Sequence, residues 1–193
     1  MSPSIQKQES ETQLIMRAQQ GDRDAFGHLV MSHQTAVYTM VYRMTGNTSL
    51  SEDATQQAFI QAWLHLPTYQ PRSSLRSWLS RIAINACLDS LRREKRIVLD
   101  EESTLKTVDP QPGPESALIN KQRAHAVQNA LLLLHESARA VLVLREYSGL
   151  SYQEIASTLD IPLGTVMSRL NTARVQLRGI LQPLLEEIEV VYG

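Results

Sequence analysis

A chain of 193 residues that is 42% hydrophobic has room for one large or two small cores, and its 5% aromatic content with eight Gly and eight Pro favours helices over a β-rich fold. The formal net charge of −1 excludes a strongly basic protein that holds DNA unaided; for DNA to be the partner, basic residues must be clustered and another protein must assist. The single Cys87 excludes a disulfide framework or a multi-cysteine zinc site, no run approaches the ~18 apolar residues of a membrane span, and the N-terminal MSPSIQKQESETQ lacks the apolar core of a signal peptide, so a cytoplasmic protein without membrane insertion is expected.

Residues 1–10 are polar and are expected to be disordered. The sequence predicts a short helix over 11–20, stopped by Gly21. Asp22 then caps a helix with Phe26, Leu29, Val30, Val37, Met40, Val41 and Met44 inward. Thr45-Gly46-Asn47-Thr48 reads as a turn. Ser49 or Ser51 is expected to cap the next helix, which runs to about Leu66, with Glu52 and Asp53 at the positive end of its dipole. Phe59, Ala62, Trp63 and Leu66 form its expected inward stripe. Asp53, Gln56, Gln57 and Ile60 lie elsewhere on this helix, where a polar surface with one exposed isoleucine suits either a docked partner or plain solvation.

Pro67 and Pro71 bracket a loop containing Tyr69. A long helical segment follows, from Arg72 to Arg96, with Leu75, Leu79, Ile82, Ala83 and Ala86 as its buried stripe. Arg81, Asn85, Asp89, Arg92 and Arg96 share one face. Arg72, Arg76, Arg93 and Lys95 add to the positive charge, against only Asp89 and Glu94. Ser73, Ser74, Ser77, Tyr69 and Trp78 stand beside these cations, a mixture suited to single-stranded nucleic acid. Basic residues track phosphates and aromatic rings stack on unpaired bases. Trp78 also fits an ordinary core position.

From 97 to 115 the chain turns acidic and proline-rich (IVLDEESTLKTVDPQPGPE) and reads as an extended flexible linker. It divides the chain into a domain over 11–96 and a second over 116–193. The second begins with a helix through Leu118, Ile119, Val127, Ala130, Leu131 and Leu134, followed by one capped by Ser137 with Val141, Leu142, Leu144 and Tyr147. Ser151 with Glu154 is a capping box and predicts a new helix there. Asp160-Ile161-Pro162 breaks it. The last helix opens at Leu163-Gly164-Thr165 and turns Val166, Leu170, Ala173 and Leu177 inward. Its outer face carries Ser168, Arg169, Asn171, Thr172, Arg174 and Arg178 and no acid. Two helices, a tight turn and a basic outer face make a helix-turn-helix, whose second helix suits a DNA major groove.

No catalytic arrangement emerges. His28, His33, His65, His125 and His135 are scattered, and there is no phosphate-cradling glycine loop or nucleophile elbow. No catalytic residue, metal site or cofactor is expected.

Four stretches carry a resemblance. GDRDAFGHLV (21–30), SEDATQQAFIQAW (51–63), SSLRSWLSRIAINACLDSLRREKR (73–96) and ARAVLVLREYSGLSYQEIASTLDIPLGTVMSRLNTARVQL (138–177) occur in the order found in the extracytoplasmic-function (ECF, group 4) sigma factors of bacterial RNA polymerase. The chain resembles that family over nearly its full length. The resemblance implies an all-α fold of two small helical domains, sigma region 2-like and sigma region 4-like, joined by the acidic linker. It implies that Asp53, Gln56, Gln57 and Ile60 meet the clamp helices of the polymerase β′ subunit. It places the −10 element on Tyr69, Arg72, Ser73, Ser74, Arg76, Ser77, Trp78, Arg81, Asn85, Arg92 and Arg93, and the −35 element on Thr165, Ser168, Arg169, Asn171, Thr172, Arg174 and Arg178. The implied partners are core RNA polymerase through β and β′, promoter DNA as −35 duplex and −10 single strand, and an anti-sigma factor. The chain departs from the pattern at Gln57, where the family often has Glu, and at Met167, where several members have Arg. Two other readings compete: a helix-turn-helix regulator that binds duplex DNA without polymerase, and a helical adaptor whose basic faces serve only solvation.

Overall fold

The computed structural model describes residues 9–71, 73–100 and 115–192, with side chains described for residues 9–71, 73–94, 96 and 123–183. Among these residues all regular structure is helical: α1 (Glu11–Gln19), α2 (Arg23–Thr45), α3 (Thr48–His65), a 3-10 turn (Leu66–Thr68), α4 (Leu75–Asp100), α5 (Glu115–Leu133), α6 (Glu136–Glu146), α7 (Tyr152–Leu159) and α8 (Leu163–Tyr192). The all-α expectation stands. The expected linker lies largely outside the described residues, as does most of the expected disordered N-terminus. α4 continues four residues past Arg96, to Asp100, before that gap.

Local chemistry sets the helix starts. Asp22 caps α2, its Oδ1 accepting from the backbone N–H of Asp24 and Ala25 at 3.0 Å each. Asn47, rather than Ser49 or Ser51, caps α3, its Oδ1 accepting from the Leu50 N–H at 3.1 Å. Ser51 is instead buried, its hydroxyl bonded to the Asn47 carbonyl at 2.6 Å and to the Thr45 hydroxyl at 2.7 Å, where it pins the α2–α3 turn. His135, not Ser137, caps α6, its side chain accepting from the Ser137 N–H. Ser151 and Glu154 form the expected capping box.

α1 to α4 make one bundle. The inward stripe of α3 is Ser51, Ala54, Ala58 and Ala62 with Leu66 following, not the expected Phe59 and Trp63. Small residues at steps of three and four let α3 lie close on α2 and α4, which displaces the two large rings to the margin. α5 to α8 make the second bundle, with α7 and α8 in helix-turn-helix order and Asp160 in the left-handed conformation (φ 51°) at the end of α7.

The two bundles pack on each other. α6 is buried at every position from Ala138 to Leu144, including Arg139, because α8 and α7 cover one side and α2 the other. A helix apolar on all sides belongs in an interior, and ARAVLVL is such a sequence. Buried residues of both bundles form one continuous core.

Candidate nucleic-acid interface

The surface of α3 comes first, because Ala54, Ala58 and Ala62 leave only one outward face. Asp53, Gln56, Gln57 and Ile60 are all exposed on it, with Ile60 at 47%. Beside them runs an open apolar groove of ≈ 740 Å³ between α2 and α3, with Phe26, Val30, Tyr38, Phe59, Trp63 and Leu64 in its walls. Gln56 and Ile60 form part of its lining, together with Glu52. Sequence reading assigned Phe26, Val30, Phe59 and Trp63 to the core. All four are half-buried: Phe26 and Phe59 pack against the core and also line the groove, and the α3 alanine stripe leaves Trp63 at the core's margin.

The loop after α3 is held from below. Gln19 Nε2 donates to the carbonyls of Leu66 (3.1 Å) and Tyr69 (2.8 Å). Tyr69 is 7% exposed, and its hydroxyl donates to the Ser73 carbonyl at 2.9 Å. Its ring lies 4.8 Å from that of Trp78. Burial raises the Tyr69 phenol above its ordinary value. In this structure Tyr69 therefore braces the loop and does not offer a free ring for stacking. Ser74 starts α4: its hydroxyl accepts from the Ser77 N–H at 3.1 Å and donates to the Ser77 hydroxyl at 3.0 Å. Ser73 and Ser74 are exposed, Ser77 and Trp78 half-buried. Arg76 is exposed but engaged, donating to the Tyr147 carbonyl at 2.7 Å. Arg72 lies outside the described residues.

Along α4, Arg81, Asn85, Asp89, Arg92 and Arg96 are exposed, as the spacing predicts, and Arg93 is exposed as well. Arg92 pairs with Asp89 at 3.0 Å, and Arg93 donates to the Asp89 carbonyl at 3.3 Å. Ile84 joins the buried stripe and Ala86 is only half-buried, a small rotation from the expected set. Cys87 is fully buried as expected, and burial pushes its thiol up to about 12.

On α8 the inward set is Val166, Leu170 and Ala173, with Leu177 half-buried. Ser168, Asn171, Thr172, Arg174 and Arg178 are exposed, while Thr165 and Arg169 are half-buried. Ser168 Oγ bonds to the Thr165 carbonyl at 3.1 Å. Arg174 pairs with Glu146 at 2.7 Å, which, together with Tyr152, raises its guanidinium above its ordinary value. Arg169 and Arg92, one from each basic helix, line a single cavity of ≈ 330 Å³ with Leu88, His135 and Glu136.

So the structure presents two cationic helix faces and one apolar groove, and no cluster of metal-ligating residues among the described residues. Nor is any described helix long and apolar enough to cross a membrane. Comparison with known proteins agrees with this layout. Residues 29–97 match the family model for Sigma-70 region 2, and residues 124–177 match that for Sigma-70, region 4. The chain is 34% identical to the RNA polymerase sigma-H factor of Pseudomonas aeruginosa, covering 93% of this chain and 98% of that one. It is 32% identical to the ECF RNA polymerase sigma factor SigW of Bacillus subtilis, over 88% and 96%. Among solved structures, the sigma factor RpoE in complex with the anti-sigma factor NepR from Bartonella quintana has a like fold, with a TM-score of 0.69, 24% identity and coverage of 81% and 96%.

Proposed function

The chain belongs to the sigma-70 family, in its extracytoplasmic-function branch, and from that premise we propose how its surfaces divide the work of an RNA polymerase sigma factor. A sigma factor binds core RNA polymerase, directs it to promoters and helps melt the −10 region. The work is binding, and no step of it asks this chain for a catalytic residue.

The α3 face with Asp53, Gln56, Gln57 and Ile60 docks on the clamp helices of β′. Exposed Ile60 supplies apolar area, and the flanking polar groups supply register. The α4 face supplies Arg81, Asn85, Arg92 and Arg93 to the −10 non-template strand and the adjacent duplex. Ser73, Ser74, Arg76, Ser77 and Trp78, with Arg72, surround the unstacked base; Tyr69 holds that loop in shape. Unstacking a base costs a few kcal/mol, which a prepared receptor offsets. The outer face of α8 enters the −35 major groove with Ser168, Arg169, Asn171 and Thr172 towards base edges, and Thr165, Arg174 and Arg178 towards phosphates. The partners are then core polymerase, promoter DNA and an anti-sigma factor that covers the α3 face. A sigma factor works where the chromosome is, which places this chain in the bacterial cytoplasm.

The observation that carries this reading is the separation of tasks. One acid-poor cationic face lies on a helix-turn-helix and a second on a lone long helix beside a serine-rich loop, with net charge near zero. A duplex-only regulator has no use for the second face. The test is permanganate probing of −10 thymines in complexes of core polymerase, the full chain and a promoter fragment. Arg81→Ala with Asn85→Ala is expected to reduce −10 reactivity several-fold at unchanged polymerase affinity. Unchanged reactivity would remove α4 from the melting step.

A further inference from the structure

α1 carries none of the residues assigned above to polymerase or DNA, yet its last residue reaches the loop after α3. Gln19 is half-buried. Its Nε2 donates to the Leu66 carbonyl at 3.1 Å and to the Tyr69 carbonyl at 2.8 Å, across 47 and 50 positions of sequence. Both partners are acceptors, so only the NH2 end of an amide fits between them. Gln128 is bonded differently: it donates to the Tyr42 carbonyl and accepts from Arg43, so its amide is used at both ends. The Leu66 carbonyl also receives the Tyr69 N–H at 3.0 Å. Among the described residues the Tyr69 carbonyl depends on Gln19 alone.

The end of α1 is itself held. Arg17 donates through Nε and Nη2 to one carboxylate oxygen of Asp22, at 2.8 and 2.6 Å, while the other oxygen caps α2. Ala18, beside Gln19, is 2% exposed. Gln19 therefore reaches the loop from a fixed base. Tyr69 passes the constraint on. Gln19 holds its carbonyl, Trp78 packs on its ring, and its hydroxyl donates to the Ser73 carbonyl at 2.9 Å. Pro71 lies between them and restricts Gln70 to extended backbone. The series Gln19–Tyr69–Ser73 sets where the exposed Ser73 and Ser74 stand at the opening of α4.

We propose that Gln19 is a positioning residue for the −10 base receptor: its carboxamide, acting through Tyr69, holds the 66–74 loop in the shape that accepts an unstacked base before DNA arrives. This rests on the −10 assignment above. A receptor ordered in advance loses less freedom on binding than one ordered by its ligand, so Gln19 contributes to strand affinity without touching the strand. Donor chemistry matters as much as shape. Gln19→Glu keeps the size of the side chain but sets a carboxylate, which only accepts, against two carbonyl oxygens.

The experiment uses the full chain with core polymerase and a forked promoter fragment whose −10 non-template strand is single-stranded. An abasic site replaces each −10 base in turn. With the wild-type chain, one position is expected to lose about tenfold in affinity, which identifies the captured base. Gln19→Met keeps the length of the side chain without its donor. It is expected to bind the intact fragment about tenfold more weakly than wild type, to lose less than about twofold further at that position, and to bind polymerase as wild type does. Gln19→Glu is expected to fall at least as far. Relative to wild type at the same pH, it should recover part of the loss as pH is lowered, because the protonated acid can donate to one carbonyl. A Gln19→Met chain that keeps the full abasic penalty overturns the proposal. So does an equal loss of polymerase affinity, which marks a general folding defect, or a Gln19→Glu defect that does not move with pH. Failure of the −10 assignment reads differently: the wild-type complex is then indifferent to an abasic site at every position, and the proposal falls with it.

Discussion

Ile60→Ala isolates the apolar part of polymerase docking. Ile60 is 47% exposed on α3, which for an isoleucine is about 80 Å² of apolar surface, and burying it at about 25 cal/mol per Å² is worth about 2 kcal/mol. Truncation to alanine leaves only Cβ, so about 1.5 kcal/mol is at stake, a loss of about tenfold in affinity. The change is on the surface and clear of the α3 alanine stripe, so folding stability should move by less than about 0.5 kcal/mol. Titration of dye-labelled core polymerase with the full chain reads the affinity, and a thermal melt of the same samples reads the fold. Adding Gln56→Ala, on the same rim of the groove, is expected to weaken binding further. A loss under twofold for the double variant, with the melt unchanged, would refute the argument that this face is buried by polymerase.

Three further outcomes follow from the geometry. Arg169→Ala should weaken promoter use through the −35 element while polymerase binding stays intact, read by transcription from templates with and without that element; equal loss on both templates would sink the assignment. Glu146→Gln should release Arg174 from an exposed ion pair worth about 0.2–1 kcal/mol, raising affinity of the polymerase-bound chain for −35 duplex by up to about fivefold; weaker binding would show that Glu146 aids the helix rather than competing with DNA. Glu154 is held below its ordinary 4.5 by the Ser151 N–H and hydroxyl in the capping box. Its stabilising effect is therefore fully present above about pH 4.5 and is lost as pH falls through the depressed value, and Glu154→Gln should flatten that part of an acid melting curve relative to wild type.

Helices and caps that depend on nearest neighbours were legible in the sequence. Asp22, the Ser151–Glu154 box and the Asp160-Ile161-Pro162 break act through the backbone within a few residues, and each sits where expected. The exposed rows of α4 and α8 were largely legible too, since their positions follow from helical period, but Arg169, expected on the outer face, is half-buried in a cavity shared with Arg92 of α4. The cap of α6 failed locally, at His135 rather than Ser137, and the other failures required knowledge of a neighbouring element. Period places Phe59 and Trp63 on one stripe, but whether that stripe or Ala54-Ala58-Ala62 turns inward depends on how close α2 and α4 come. Asn47 outcompeted Ser51 as a cap because Ser51 was taken by Thr45 and the Asn47 carbonyl. The contact between bundles left one trace in the sequence: α6 is apolar around its whole circumference, with Arg139 embedded, which a two-sided amphipathic helix would not be. Gln128 gave no such trace, because a lone glutamine on a helix reads as solvent-facing until its two partners are seen.

The most direct test of the account is transcription in vitro with the purified full chain, bacterial core RNA polymerase and a pool of genomic promoter fragments, with the RNA 5′ ends sequenced. The account predicts discrete starts that require this chain, each preceded by a shared pair of elements about two helical turns apart. An absence of chain-dependent starts, together with tight duplex binding by the chain alone, would contradict it.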